Sequence, residues 1–96
     1  VKKLINSNII IEDDKIHTDD RWLGEGYGTM SKEVLDAIRL AAQTDAILTD
    51  PTYSDKSIAG LINLTKQNSF NNNANILYIH TGGHPCIFAY EALLSN

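Results

Sequence analysis

The residues with chemical capacity gather in two short stretches, Asp50-Pro51-Thr52-Tyr53-Ser54-Asp55-Lys56 and His80-Thr81-Gly82-Gly83-His84-Pro85. In the first, Asp50-Pro51 turns the chain. Tyr53 and Ser54 then precede an expected helix start, where free N–H groups and the helix dipole favour an anion. The same stretch also reads as a capping segment around a half-buried tyrosine. In the second, two glycines follow an apolar run. They allow the backbone to approach a ligand closely, or they form a plain tight turn. The stretch is neither a Walker loop nor a G-x-G-x-x-G fingerprint.

Other reactive side chains carry less. Lys56 falls at the start of a helix with no partner that would depress its pKa, and reads as a solvated lysine rather than a Schiff-base lysine. His80 and His84 are four apart, but Gly82 and Gly83 interrupt any helix between them, so no zinc site is expected. Asp13, Asp14, Asp19 and Asp20 do not follow a calcium-loop pattern and read as a solvated hairpin surface. Trp22 reads as a packing residue and Cys86, the single cysteine, as a small buried hydrophobe. No Ser/His/Asp order follows from the spacing.

The elements that must position these stretches follow from periodicity. Residues 9–11 and 16–22 suit short strands joined by a turn at Glu12–Lys15. Gly24, Gly26 and Gly28 mark a loop. Ser31 is a good N-cap for a helix over 31–43, with Val34, Leu35, Ile38, Ala41 and Ala42 in helical register. Residues 46–50 suit a strand that Pro51 ends. A second helix, capped by Ser54 or Asp55, carries Ile58, Leu61, Ile62 and Thr65 on one face. The Asn-rich 68–75 stretch reads as a surface turn. Residues 75–80 are nearly all apolar, as in a strand buried on both faces, and Pro85 suits the first turn of a helix reaching about Leu94. Helix, strand, helix, strand, helix implies α/β, part of a doubly wound, mainly parallel sheet. In such sheets ligands bind beyond the carboxyl ends of the strands, where the two stretches lie.

The 96 residues are 43% apolar and 21% charged, with a net charge of −4. This balance suits one small globular domain or a piece of a larger one. The few basic residues are scattered, which argues against a nucleic-acid surface. One cysteine excludes an internal disulfide. No apolar run has transmembrane length and no signal-peptide pattern is visible, so the cytoplasm is the expected compartment and no membrane partner is expected.

Gly24–Ile62 (GEGYGTMSKEVLDAIRLAAQTDAILTDPTYSDKSIAGLI) and Ile76–Tyr90 (ILYIHTGGHPCIFAY), in this order and at this spacing, resemble the C-terminal third of the D-cysteine desulfhydrase / 1-aminocyclopropane-1-carboxylate (ACC) deaminase family. These are pyridoxal 5′-phosphate (PLP) enzymes of the tryptophan-synthase-β fold type. The resemblance implies that Tyr27 lies near cofactor and substrate and that Tyr53 faces the substrate, both as catalytic residues. It places Ser54, Thr81, Gly82 and Gly83 at the pyridine side of PLP, with the Thr81 hydroxyl offered to the ring nitrogen. ACC deaminases resemble one another in having Glu and Leu at the positions of Ser54 and Thr81. The pair found here is desulfhydrase-like. A carboxylate at the ring nitrogen favours its protonated form and deepens the electron sink, which opening a cyclopropane needs more than expelling a thiol does.

The implied reaction is β-elimination of D-cysteine to pyruvate, sulfide and ammonia. The family's Schiff-base lysine, its Ser-Asn-His loop and its glycine-rich phosphate loop lie upstream and have no counterpart here. Residues 1–96 are therefore read as one partial domain, the C-terminal segment of the larger PLP-binding domain. Alone it is expected neither to hold PLP tightly nor to turn over substrate. The expected partners are a D-amino acid, the remainder of the enzyme and a second copy covering exposed apolar surface. The alternatives are an ACC deaminase, which forms 2-oxobutanoate and ammonia, and a stand-alone binding or assembly module without catalysis.

Overall fold

The computed structural model describes Leu4, Asn8 and residues 10–95. Its framework is a pair of helices, α1 (Lys32–Asp45) and α2 (Ser54–Lys66), followed by a short α3 (Glu91–Leu94). Ser31 caps α1 as expected, its hydroxyl accepting from the Val34 N–H at 3.3 Å. The helix ends where Ala46 takes a left-handed conformation (φ +54°) and the Ile47 N–H returns to the Ala41 carbonyl at 3.1 Å. That geometry closes the last turn and satisfies a carbonyl that would otherwise lack a partner.

Val34, Ala37 and Ile38 of α1 meet Ile58 and Ala59 of α2 in the buried core. Met30, Ile62, Tyr78 and Leu94 pack around it. The expected face of α1 is buried at Val34 and Ile38, whereas of the face expected for α2 only Ile58 is buried and Thr65 is exposed. Pro85 lies in the first turn of the last helical stretch, as its fixed φ allows. That stretch is not one α-helix, however. Residues His84–Tyr90 form a 3-10 helix, and only Glu91–Leu94 are α-helical.

The expected α/β sheet does not form. Among the described residues there is no strand, so this is a helical chain and not part of a doubly wound parallel sheet. Residues 46–50 and 75–80 lie near one another, but side chains join them instead of a backbone ladder. His80 Nε2 donates to the Leu48 carbonyl at 3.3 Å. The Tyr78 hydroxyl donates to the Ser54 carbonyl at 3.1 Å and lies 2.9 Å from Ser57 Oγ. A strand buried on both faces needs packing layers on both sides, and the helix pair supplies one. Leu77 is accordingly 85% exposed and Ile79 71%. Residues 16–22 form no return strand, and Asp13–Lys15 is a single 3-10 turn. Of the expected first strand, Ile9 lies outside the described residues. Among the described residues no helix is long and apolar enough to cross a membrane.

Candidate functional site

Asp50 organises the loop between α1 and α2. Its side chain is fully buried. Oδ2 accepts from the N–H groups of Thr52 (3.0 Å) and Tyr53 (2.9 Å). Oδ1 accepts from the Ser54 N–H (3.0 Å) and the Ser54 hydroxyl (2.6 Å). One carboxylate therefore binds the amides of the Thr52–Tyr53 turn and the first amide of α2, while neither Ser54 nor Asp55 caps the helix as expected. Burial pushes the Asp50 pKa up, but the Ser54 hydroxyl and the three amides outweigh it and hold it below the ordinary value.

The His80–His84 turn rests on the same carboxylate. Gly83 has φ +102°, and a Cβ there would lie 2.2 Å from Asp50 Oδ1. Only glycine permits that approach. Gly82, at φ +113°, faces open space instead. The Gly82 N–H donates to His80 Nδ1 at 3.0 Å, so Nδ1 is the bare ring nitrogen and Nε2 carries the proton. His84 stacks on the His80 ring with centroids 4.4 Å apart. Thr81, at the tip of the turn, is exposed.

Tyr27 and Tyr53, 26 positions apart in sequence, meet hydroxyl to hydroxyl. Their rings stand edge to face with centroids 5.7 Å apart. The hydrogen bond to Tyr27 raises the Tyr53 pKa, with a smaller contribution from burial. Both rings line a cavity of about 520 Å³ together with Trp22, Thr52, Lys56 and Ser57.

Lys56 is not solvated. It is 7% exposed, and its Nζ donates to the carbonyls of Leu23 (2.6 Å) and Gly26. The lysine thus pins the glycine loop bearing Tyr27 to the start of α2. Trp22 is a packing residue, as expected. Its ring covers Gly60 of α2, where an added Cβ would lie 2.8 Å from the indole. Asp19 holds that indole, accepting from Trp22 Nε1 at 3.0 Å and twice from the Arg21 guanidinium. Asp19 is therefore more than hairpin surface, and the Arg21 hydrogen bonds hold its carboxyl well below the usual range. Cys86 is half-buried.

The structure thus brings Tyr27 to Tyr53, and joins Ser54 to Gly83 through Asp50. Thr81, Gly82, Gly83 and Ser54 are not in the wall of the tyrosine cavity. Ser54 is 5% exposed and its hydroxyl is spent on Asp50. Sequence reasoning gave three residues other roles: Asp50 as a turn residue, Lys56 as a solvated lysine and Asp55 as a helix cap. Asp55 is fully buried. Thr49 donates to its Oδ1, and Oδ2 has no partner among the described residues. Burial pushes its carboxyl up to about 7, the Asp50 charge adds to the rise, and the Thr49 hydrogen bond and His80 oppose it.

Three relatives are similar to this chain in sequence. A probable ACC deaminase of Cryptococcus neoformans is 42% identical over 89 residues, covering 93% of this chain and 26% of the relative. The probable ACC deaminase of Schizosaccharomyces pombe is 36% identical over 94 residues, 98% of this chain and 28% of the relative. The D-cysteine desulfhydrase of Salmonella newport is 43% identical over 76 residues, 79% of this chain and 23% of the relative. Over most of its length this chain is similar to proteins named as ACC deaminases and D-cysteine desulfhydrases. It spans about a quarter of the length of these relatives. No family model matches it.

Proposed function

We propose that this chain is the C-terminal segment of a PLP-dependent lyase that, when complete, acts as a D-cysteine desulfhydrase. The reaction balances as D-cysteine plus water giving pyruvate, ammonia and hydrogen sulfide. The observation that carries the reading is the hydroxyl contact of Tyr27 and Tyr53 at the wall of a cavity. Two phenols in contact can hold and pass one proton. At such a site they orient a substrate and assist its proton transfer.

The residues expected around the cofactor fit it in part. Thr81 is exposed, and nothing lies within 4 Å of where a Gly82 Cβ would be, so the turn leaves room for a planar ring edge. Ser54 does not fit as a direct contact, because its hydroxyl serves Asp50. PLP, when bound, supplies the electron sink that acidifies the substrate Cα–H. The Thr81 hydroxyl would then be the ring-nitrogen partner from this chain. Lys56 is engaged with two carbonyls and is not offered as the cofactor lysine. That group and the phosphate cradle belong to the rest of the enzyme, which also covers exposed Leu77, Ile79 and Phe88.

The names of the two fungal relatives favour a second reading, an ACC deaminase. Against it stand Ser54 and Thr81 in place of the Glu and Leu that the deaminases resemble one another in having. Assay of the full-length protein separates the readings. Sulfide and pyruvate from D-cysteine support the first, and 2-oxobutanoate from ACC supports the second. Neither product would leave a non-catalytic module. In the active enzyme, Tyr53→Phe should lower kcat by about 10²–10⁴-fold if Tyr53 takes part in proton transfer. An unchanged kcat removes Tyr53 from the reaction.

A further inference from the structure

Three loops meet at a hydroxyl that no role above employs. Tyr90 closes the 3-10 helix that follows the Gly82-Gly83 turn. Its Oη donates to the Gly28 carbonyl at 3.1 Å and lies 3.4 Å from Thr52 Oγ1. Gly28 immediately follows Tyr27, and Thr52 immediately precedes Tyr53. The two contacts span 62 and 38 positions of sequence, so they are tertiary ties and not local turns. Gly28 has φ +73°, and a Cβ placed there would sit 3.7 Å from the Tyr90 hydroxyl. The loop therefore presents its carbonyl to Tyr90 from close range.

We propose that Tyr90 is a positioning residue that sets the contact between Tyr27 and Tyr53. Its hydroxyl donates to one tyrosine-bearing loop and lies against the Thr52 hydroxyl of the other, a long contact that brings the two loops to one point. Both tyrosine rings are otherwise loosely held: Tyr27 is 78% exposed and Tyr53 53%. Their hydroxyl contact thus depends on where their backbones are placed. The Asp50–Gly83 approach anchors the opposite end of the same turn-and-helix segment. Tyr90 is in this way tied through its own backbone to the turn that carries Thr81. The role in catalysis rests on the lyase reading, whereas the role in the tyrosine pair does not.

The test places 3-fluorotyrosine at position 53 of the full-length protein and follows its ¹⁹F resonance through alkaline pH, in the parent and in Tyr27→Phe, Tyr90→Phe and Thr52→Val. Tyr27→Phe removes the pairing hydroxyl and should lower the Tyr53 midpoint. Tyr90→Phe should lower it in the same direction, and Thr52→Val by less, while thermal melting shows each variant folded. A merely structural loss would change the melt and leave the Tyr53 titration in place. If Tyr27→Phe shifts the midpoint and Tyr90→Phe does not, the positioning role is overturned and the pair survives. If neither shifts it, the pair itself is overturned, and the positioning role with it. In an active enzyme Tyr90→Phe should also lower kcat, and by less than Tyr53→Phe does.

Discussion

Asp55→Asn should make the protein more stable at neutral and alkaline pH and leave it nearly unchanged in acid. Asp55 is fully buried, with one oxygen bonded to Thr49 and the other without a partner. Its folded carboxyl titrates at about 7 against an ordinary value of 3.8. Because the folded pKa is raised, the folded state holds a proton that the unfolded state has released between those values. Stability therefore falls as pH rises through this window. At about 1.4 kcal/mol per pK unit, the gap amounts to on the order of 4 kcal/mol once pH exceeds 7. Asparagine keeps the acceptor that Thr49 bonds and cannot ionise. Its amide leaves a buried donor without a partner, but so does the protonated acid, so the two should be within about 1 kcal/mol of each other near pH 4. Asp50 has the opposite linkage. Its folded pKa is depressed, so its contribution is present above the ordinary carboxylate range and lost as pH falls. To first order that contribution cancels between parent and variant. Urea unfolding of both full-length proteins at several pH values reads the difference directly, provided the m-values agree. A difference that stays constant from about pH 4 to about pH 8 would refute the assignment of Asp55 as a buried neutral acid.

Three further substitutions probe how the loops are held. Gly83→Ala combines a left-handed backbone with a Cβ 2.2 Å from Asp50 Oδ1. It should destabilise by roughly 2–4 kcal/mol, as strain and displacement of a buried carboxylate add. Gly82→Ala, with open space at its Cβ, should cost only the backbone term. Equal melting-temperature losses for the two would contradict the Asp50 contact. Lys56→Met keeps the length of the side chain and removes two hydrogen bonds to the Leu23 and Gly26 carbonyls. It should cost about 2–3 kcal/mol and free the loop bearing Tyr27, which amide hydrogen exchange at Leu23 and Thr29, the bonded amides flanking it, would show as lost protection.

The helices were legible because their information is local. Ser31 and the spacing of Val34, Ile38, Ile58 and Ile62 specify a cap and two apolar faces, and those faces build the core. The strands were misread because an apolar run states a preference for burial without naming a partner. Residues 75–80 carry such a run, yet a strand exists only when another backbone completes its ladder, and Tyr78 and His80 attach this segment through their side chains instead. Lys56 was misread for a related reason. Nothing nearby in sequence reveals that carbonyls of residues 23 and 26 will surround its amine. Aspartate before proline was a usable signal for Asp50, since an acid just ahead of a helix start commonly takes its free amides. Only the fold shows that the same carboxylate also receives Gly83.

The buried polar groups of this small chain do the work that a sheet would otherwise do. With a core of five buried apolar residues among those described, packing alone cannot fix loops that lie far apart in sequence. Asp50 bonds the start of α2 and the glycine turn packs closely against it, and Lys56 joins α2 to the loop of Tyr27. Asp50 accepts four hydrogen bonds and Lys56 donates two, and such bonding is the condition under which burying a charge is tolerable. A fully bonded polar group is also directional in a way that an apolar contact is not, because displacing either partner leaves a buried donor or acceptor unsatisfied. Two tyrosines on the surface can therefore be brought into hydroxyl contact by loops, with no strand to carry them. Asp55 is the exception. It is buried beside Asp50 with half of its carboxyl unpaired, so burial and the neighbouring charge favour its neutral form, where the hydrogen-bonded Asp50 favours the charged one.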